Sequence, residues 1–338
     1  MDDFASIDAA DTVGELAAAA ATARQRLHAG LAAGTDVAQT TRQISRLNDR
    51  VTEQLVSRTA AELGLDLDRA CWLVLGSQGR SEQTVATDQD NGLVLDARVS
   101  ASERGDWLEL GRRVNLALDA CGYALCRGKV MAGEPACCLV VKEWERRFDH
   151  WMEHGAPQDL LNASIYFDLR PLVGRHELVL QLRRRVVSRA AGLPRFIKQM
   201  AENALRNAVP LGWFGGIRPH RADGKPMFDL KMQGSALFVE AARLYALALG
   251  VEATGTGERL DALADRGRAP TDERLAWTRG FETLQRLRLQ LQARTDVARR
   301  NPNLVALDSL AASDHDQLKQ ALRAARLLQQ RIAMDYRR

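Results

Sequence analysis

Apolar residues recur at helical spacing through the first part of the chain. Two stretches, "TVGELAAAAATARQRLHAGLAAG" and "DVAQTTRQISRLNDRVTEQLVSRTAAELG", read as helices joined near Gly34. In the second, Val37, Ile44, Leu47, Val51 and Leu55 fall on one face, the spacing of an amphipathic helix. The pattern then changes. "CWLVLGS" is a short continuous apolar run ended by Gly76, which predicts a buried strand, and "NGLVLDA" predicts a second. "SERGDWLELGRRVNLALDACG" returns to helical spacing and ends at Gly122.

"YALCRGKVM" predicts a third strand, and Pro135 suits the first turn of a helix running through "ACCLVVKEWERRFDHWMEHG". Within "NASIYFDLRPLVG", Ile165 to Leu169 predict another strand, stopped by Pro171. From about residue 175 the pattern is helical almost throughout, interrupted by the glycine- and proline-rich "GWFGGIRPHRADGKPMFDLKMQG". Thr271 and Ser313, each followed by acidic residues, predict helix starts. The expectation is an α/β (α+β) domain with a small mixed sheet over residues 64–175. A helical segment over residues 1–63 precedes it, and a helical bundle over residues 176–338 follows.

Composition narrows the function classes. Of 338 residues, 46% are hydrophobic and 27% charged, enough for a sizeable core. The 47 basic residues are nearly balanced by 43 acidic ones, which argues against a nucleic-acid footprint. The five cysteines contain no CxxC pair, so reduced thiols are expected and a thiolate zinc site is not. The opening "MDDFASIDAADTVGEL" lacks the basic-then-apolar order of an export signal, and no apolar run approaches a membrane span. A cytoplasmic protein without a membrane partner is expected.

The candidate chemistry is concentrated in "VLGSQGRSEQTVATDQDNGLVL", residues 74–95. A strand that stops at Gly76 and Ser77 exposes backbone N–H groups and a hydroxyl, and glycine allows close approach to a phosphate. Arg80 follows, and a guanidinium suits bidentate phosphate contact. A plain polar turn accounts for these residues equally well when they are taken alone. Asp88 and Asp90 change the balance. Two apart on an extended chain, they share a side, and a hard cation such as Mg²⁺ relieves their repulsion. Asp168, in the apolar "IYFDL", would be costly if buried alone. Either Arg170, two residues on, neutralises it, or a metal does, and the metal is the preferred reading.

The stretch GS-x-GR-x-E followed by T-D-Q-D-N, residues 76–91, resembles the active-site signature of the nucleotidyltransferase fold that includes DNA polymerase beta. More narrowly, it is similar to the bacterial nucleotidyltransferases related to glutamine-synthetase adenylyltransferase and PII-uridylyltransferase. "CRGKVMAGEP", "FDLRPLVG", "DLKMQG" and "EAARLYALALGVEATGTGERLDAL" look like that family's downstream blocks, the last two in its helical substrate-binding domain. The resemblance covers nearly the whole chain.

It implies a polymerase-beta-type domain that moves a nucleoside monophosphate from an NTP to an acceptor hydroxyl and releases pyrophosphate. Gly76, Ser77 and Gly79 would hold the triphosphate, with Arg80 beside them. Asp88 and Asp90 would hold two Mg²⁺ (or Mn²⁺) ions, and Asp168 would coordinate the catalytic metal or serve as general base. Glu82 would fix Arg80. The acceptor implied is a protein, in signal transduction. The competing reading is a nucleotide-sensing regulatory module without turnover. Relatives often carry cyclic-nucleotide-binding and CBS-type sensor domains ahead of this region, where this sequence has about sixty helical residues.

Other features have plainer readings. Lys231 in "FDLKMQG" could reach the triphosphate or form an ion pair with Asp229 at a helix start. His150 and His154 read as a surface pair, Cys137 and Cys138 as core, and Arg183, Arg184 and Arg185 as a solvated helix face.

Overall fold

The computed structural model describes residues 4–32, 36–156, 159–160, 163–213, 215–222, 224–294 and 301–336. They form two compact units, Met1–Gly155 with Asn162–Val186, and Ala156–Leu161 with Val187–Arg338. The first is built on a mixed four-stranded sheet of order β3-β2-β1-β4. Its strands are β1 (Ala70–Val74), β2 (Asn91–Leu95), β3 (Cys138–Val140) and β4 (Arg170–Gly174). β1 runs antiparallel to both β2 and β4, with Trp72 opposite Leu93 on one side and Val173 on the other. β2 and β3 are parallel.

Every residue of β1 and β2 is buried, which explains why apolar residues run consecutively through Ala70–Val74 and Leu93–Leu95 rather than alternating. Ala70, Trp72 and Val74 share a core with Leu47, Val51 and Leu55 of the long helix Val37–Glu62, and with Trp107, Leu110 and Val114 of the helix Arg104–Ala120. The N-terminal helices therefore pack into the same unit as the sheet. A second apolar group joins Trp144 and Phe148 of the helix Val141–His154 to Tyr166 and Phe167, with Phe148 edge-on to Phe167 at 5.4 Å.

Three expected elements differ from the structure. "YALCRGKVM" is not a strand: Gly122 and Lys129 take left-handed backbone conformations that turn the chain, and only Ala124 makes a bridge, to Asp88. The edge beside β2 is taken instead by Cys138–Val140, inside the stretch expected to be helix. Pro135 opens a single 3-10 turn, and the helix begins only at Val141, where Glu143 Oε2 accepts the Val140 N–H. Long-range pairing of the Leu93–Leu95 backbone overrides the local helical pattern here. Finally, Ser164–Asp168 is a 3-10 turn and the strand lies beyond it, at Arg170–Gly174. Pro171 is tolerated because β4 is an edge strand, and the β1–β4 register shifts between Trp72 and Leu73, opposite it.

The second unit is helical, as its periodicity predicts. It contains Pro194–Arg206, Ala236–Ala248, Thr256–Asp265, Thr271–Arg294 and Ala312–Tyr336. Ala236–Ala248 is buried nearly all round, and Gly280 lets helix Thr271–Arg294 approach it closely, since a Cβ there would stand 2.8 Å from Phe238. The glycine- and proline-rich interruption forms a small antiparallel sheet, His220–Ala222 with Lys225–Asp229, completed by Leu304–Ala306. Among the described residues, no helix is long and apolar enough to cross a membrane.

Asp96, just past β2, clips the sheet to its surroundings. Its carboxylate accepts from the Arg98 N–H and Nε at 2.8 Å each and from Arg175 at 2.5 Å. The Arg98 side-chain and backbone hydrogen bonds push the Asp96 carboxyl down to about 2 from an ordinary 3.8. A depressed carboxyl stabilises the fold fully above its unfolded value, and the contribution is lost as pH falls through the folded one. Because Arg98 is largely exposed, the effect is discounted to about 1 kcal/mol. Urea unfolding of Asp96→Asn should show that loss at neutral pH, shrinking as the pH is lowered from about 4 toward 2.

Candidate active site

The site begins where β1 ends. Leu75 is extended and its N–H donates to the Asp90 carbonyl at 2.9 Å. The chain then enters a single helical turn, Gly76–Gly79, through Gly76 at φ +54°. That conformation favours glycine, and so does the space. A Cβ at Gly76 would stand 2.9 Å from Ile165 Cγ1 and 3.0 Å from Asp90 Oδ2. At Gly79 a Cβ would fall 1.8 Å from the Asp168 carbonyl oxygen. The glycines thus let one turn touch both the Asp90 side chain and the Asp168 backbone. Ser77 lies half-buried between them, its carbonyl accepting the Glu82 N–H.

Arg80 locks the turn. Its Nε donates to Glu82 Oε2 at 2.7 Å, and its Nη1 donates to Asp168 Oδ2 at 2.5 Å. Burial works against the guanidinium charge, but Asp168 and Glu82 outweigh it and hold Arg80 charged above its ordinary range. Asp168 is fully buried. The neutralising arginine is therefore Arg80, not Arg170: on a 3-10 turn, residues 168 and 170 no longer share a strand face. Arg170 turns instead to Asp49, bonding its two oxygens at 2.9 and 2.8 Å, and to the Gln78 carbonyl at 3.0 Å.

Helix Val37–Glu62 braces the turn from outside the motif. Asp49 also accepts from Gln78 Nε2 at 3.1 Å. Burial raises the Asp49 carboxyl, while Arg170 opposes that shift. Asn48 Nδ2 donates to Gln83 Oε1 at 2.9 Å, and Ser45 Oγ accepts the Gln83 N–H at 3.2 Å. Sequence reasoning missed this support. The available signal was that polar Ser45, Asn48 and Thr52 interleave with Ile44, Leu47, Val51 and Leu55 at helical spacing, on what proves to be the buried side.

The acid pair is held by its neighbours in "TDQDN". Asp88 bridges to Ala124, and the Gln89 N–H donates to the Ala124 carbonyl. The Gln89 amide is buried and donates to the Asn115 and Tyr123 carbonyls at 2.9 and 2.8 Å. Asn115 Nδ2 returns bonds to Gln89 Oε1 and Asn91 Oδ1 at 2.8 and 3.0 Å, and Asn91 Oδ1 also accepts the Ala132 N–H. With Gln89 anchored away, Asp88 and Asp90 come together. One oxygen of each, with Cys126 Sγ, forms a group whose atoms all lie within 4.8 Å of one another. Asp88 is exposed, Asp90 buried and Cys126 half-buried. Burial, then the adjacent Asp90, pushes the Cys126 thiol up to about 11. Two carboxylate oxygens so placed suit a divalent cation. Asp168 lies outside that group, and Cys126 was not anticipated.

The remaining candidates have the following local surroundings. Lys231 is exposed and opens the turn Lys231–Ser235 of the second unit. Its backbone N–H, and that of Met232, donate to Asp229 Oδ1 at 2.9 and 2.8 Å, so Asp229 caps the turn through the backbone. His150 and His154 stand 5.8 Å apart on an exposed face, and Cys137 and Cys138 are fully buried. Arg184 and Arg185 pair with Glu177 and Asp149.

The tight approach at Gly79 predicts that Gly79→Ala loses about 3 kcal/mol in urea unfolding, because the methyl meets a backbone carbonyl that cannot yield without moving the turn. Ser77→Ala, at a half-buried position, should stay within about 1 kcal/mol of wild type.

Comparison with known families gives two matches. Residues 21–158 match the family described as "Putative nucleotidyltransferase DUF294". Residues 194–336 match the "Putative nucleotidyltransferase substrate binding domain". Comparison with curated proteins found no match.

Proposed function

The chain belongs to this nucleotidyltransferase family, and from that premise we propose that it moves a nucleoside monophosphate from a nucleoside triphosphate to a hydroxyl on an acceptor protein, releasing pyrophosphate. One observation carries the reading: Asp88 and Asp90 are held together at the start of β2, with Asp90 Oδ2 against the glycine turn. A triphosphate and its cations need that juxtaposition of backbone N–H groups and paired oxygen donors. A mixed sheet with the acids at the start of its second strand also supports a polymerase-beta-type domain.

The chain's residues would divide the work as follows. Gly76, Ser77 and Gly79 form the turn assigned to the triphosphate, with Gly76 and Gly79 letting it pack closely on Asp90 and on the Asp168 backbone. Arg80 adds positive charge beside it while tying Asp168 and Glu82 in place. Asp88 and Asp90 would hold Mg²⁺ or Mn²⁺, two ions which, when bound, neutralise the triphosphate and lower the acceptor hydroxyl's pKa. Asp168 is assigned to the acceptor side as the third carboxylate. Lys231 is assigned a triphosphate contact from its motif and its exposure. Most of the rate enhancement would then come from positioning and charge neutralisation. We place the reaction in the cytoplasm.

A second reading, a nucleotide sensor without turnover, draws on one feature: Asp168 is fully buried, paired with Arg80 and outside the Asp88–Asp90 group.

The deciding experiment incubates the protein with each labelled NTP, Mg²⁺ and cell lysate, and follows pyrophosphate release and label transfer to protein. Asp88→Asn and Asp90→Asn should each lower release on the order of 100-fold or more, since loss of a bound cation removes several kcal/mol of charge stabilisation. Circular dichroism should show both variants folded. Tight NTP binding with no product from any acceptor mixture would replace the transferase reading with the sensor.

A further inference from the structure

Cys126 has no part in the reading above, yet its position is specified. Ala124 is bridged to Asp88, and the Gln89 N–H donates to the Ala124 carbonyl, so the segment that carries the acids, just before β2, also fixes the segment that carries the thiol. The Cys126 carbonyl accepts the Lys129 N–H at 3.0 Å, and its own N–H donates to Met131 Sδ at 3.4 Å. Lys129 closes this turn in a left-handed conformation, at φ +56°. Sγ is thereby set within 4.8 Å of an oxygen on both Asp88 and Asp90. The other four cysteines are buried, while Cys126 is half-buried.

Donor chemistry then separates two classes of cation. Mg²⁺ is hard, binds oxygen and leaves a thiol protonated. Zn²⁺ and Cd²⁺ are softer, take thiolate sulfur readily and accept carboxylate oxygens beside it. We propose that Cys126 is a soft third donor of the Asp88–Asp90 cradle, so that thiophilic divalent cations bind there through a metal–sulfur bond that Mg²⁺ does not make. The step is a ligand exchange: the S–H proton leaves to solvent, the metal–sulfur bond forms, and no oxidation state changes. It rests on the reading of Asp88 and Asp90 as a cation site, but not on nucleotidyl transfer. Its consequence is that Zn²⁺ or Cd²⁺ competes for the cradle with Mg²⁺ and suppresses transfer.

Titration of the full chain with Cd²⁺ tests this through the ultraviolet thiolate-to-cadmium charge-transfer band, a readout independent of turnover. The band should rise to one Cd²⁺ per chain and be absent in Cys126→Ser and Cys126→Ala, both checked for folding by circular dichroism. Asp88→Asn and Asp90→Asn should weaken Cd²⁺ binding by at least about tenfold. No band in the wild type, or a band that survives in the Cys126 variants, overturns the proposal. So does a band that needs Cys126 but ignores both aspartates, because that describes a lone thiol. If the band behaves as expected while no transfer occurs, the cradle stands and the transferase reading falls. If release of pyrophosphate depends on Asp88 but no band forms, the reverse holds.

Discussion

The buried pair between Arg80 and Asp168 is the interaction on which the rest of the first unit's architecture depends. It joins positions 88 residues apart in the chain, and Asp168 has no solvent exposure at all. Taking two charges out of water costs several kcal/mol, so such a pair persists only when further bonds satisfy its members. Glu82 supplies one of them to Arg80. The pair also explains why position 79 must be glycine: the Asp168 backbone lies where a side chain would be. Removing either partner would strand a buried charge, whereas the same geometry intact sets the turn after β1 against the turn before β4.

A second network does for the acids what Arg80 does for the turn. Gln89, Asn91 and Asn115 exchange buried side-chain hydrogen bonds, and each also meets backbone groups or another amide of the set. Buried amides are expensive unless satisfied, so this arrangement selects one orientation of the Asp88–Asp90 segment. In "TDQDN" the aspartates face the cradle, and the glutamine and asparagine are anchors. The close approach of the two carboxylates is thus imposed by the fold itself.

Much of the fold was legible in the sequence. The two central strands, the helix ending before Gly122 and the helical second unit all follow from local periodicity. Where it misled, a long-range partner was responsible. Cys138–Val140 reads locally as helix, but lies against β2 as a strand because Leu93–Leu95 needs hydrogen-bond partners on that edge. Pro171 reads as a stop, but an edge strand tolerates it. The small sheet of the second unit pairs Lys225–Asp229 with Leu304–Ala306, segments too far apart in sequence for a local pattern to reveal.

The sequence by itself determined that Asp88 and Asp90 share a side and that a glycine turn follows β1, because side-chain alternation and left-handed backbone are properties of a few consecutive residues. Only the tertiary structure decided which arginine meets Asp168, that Ser45, Asn48 and Asp49 brace the turn, and that a thiol joins the acid pair. Each of those outcomes depends on which distant segments pack together. Competing partners such as Arg80 and Arg170 are chemically equivalent until the backbone between them is folded.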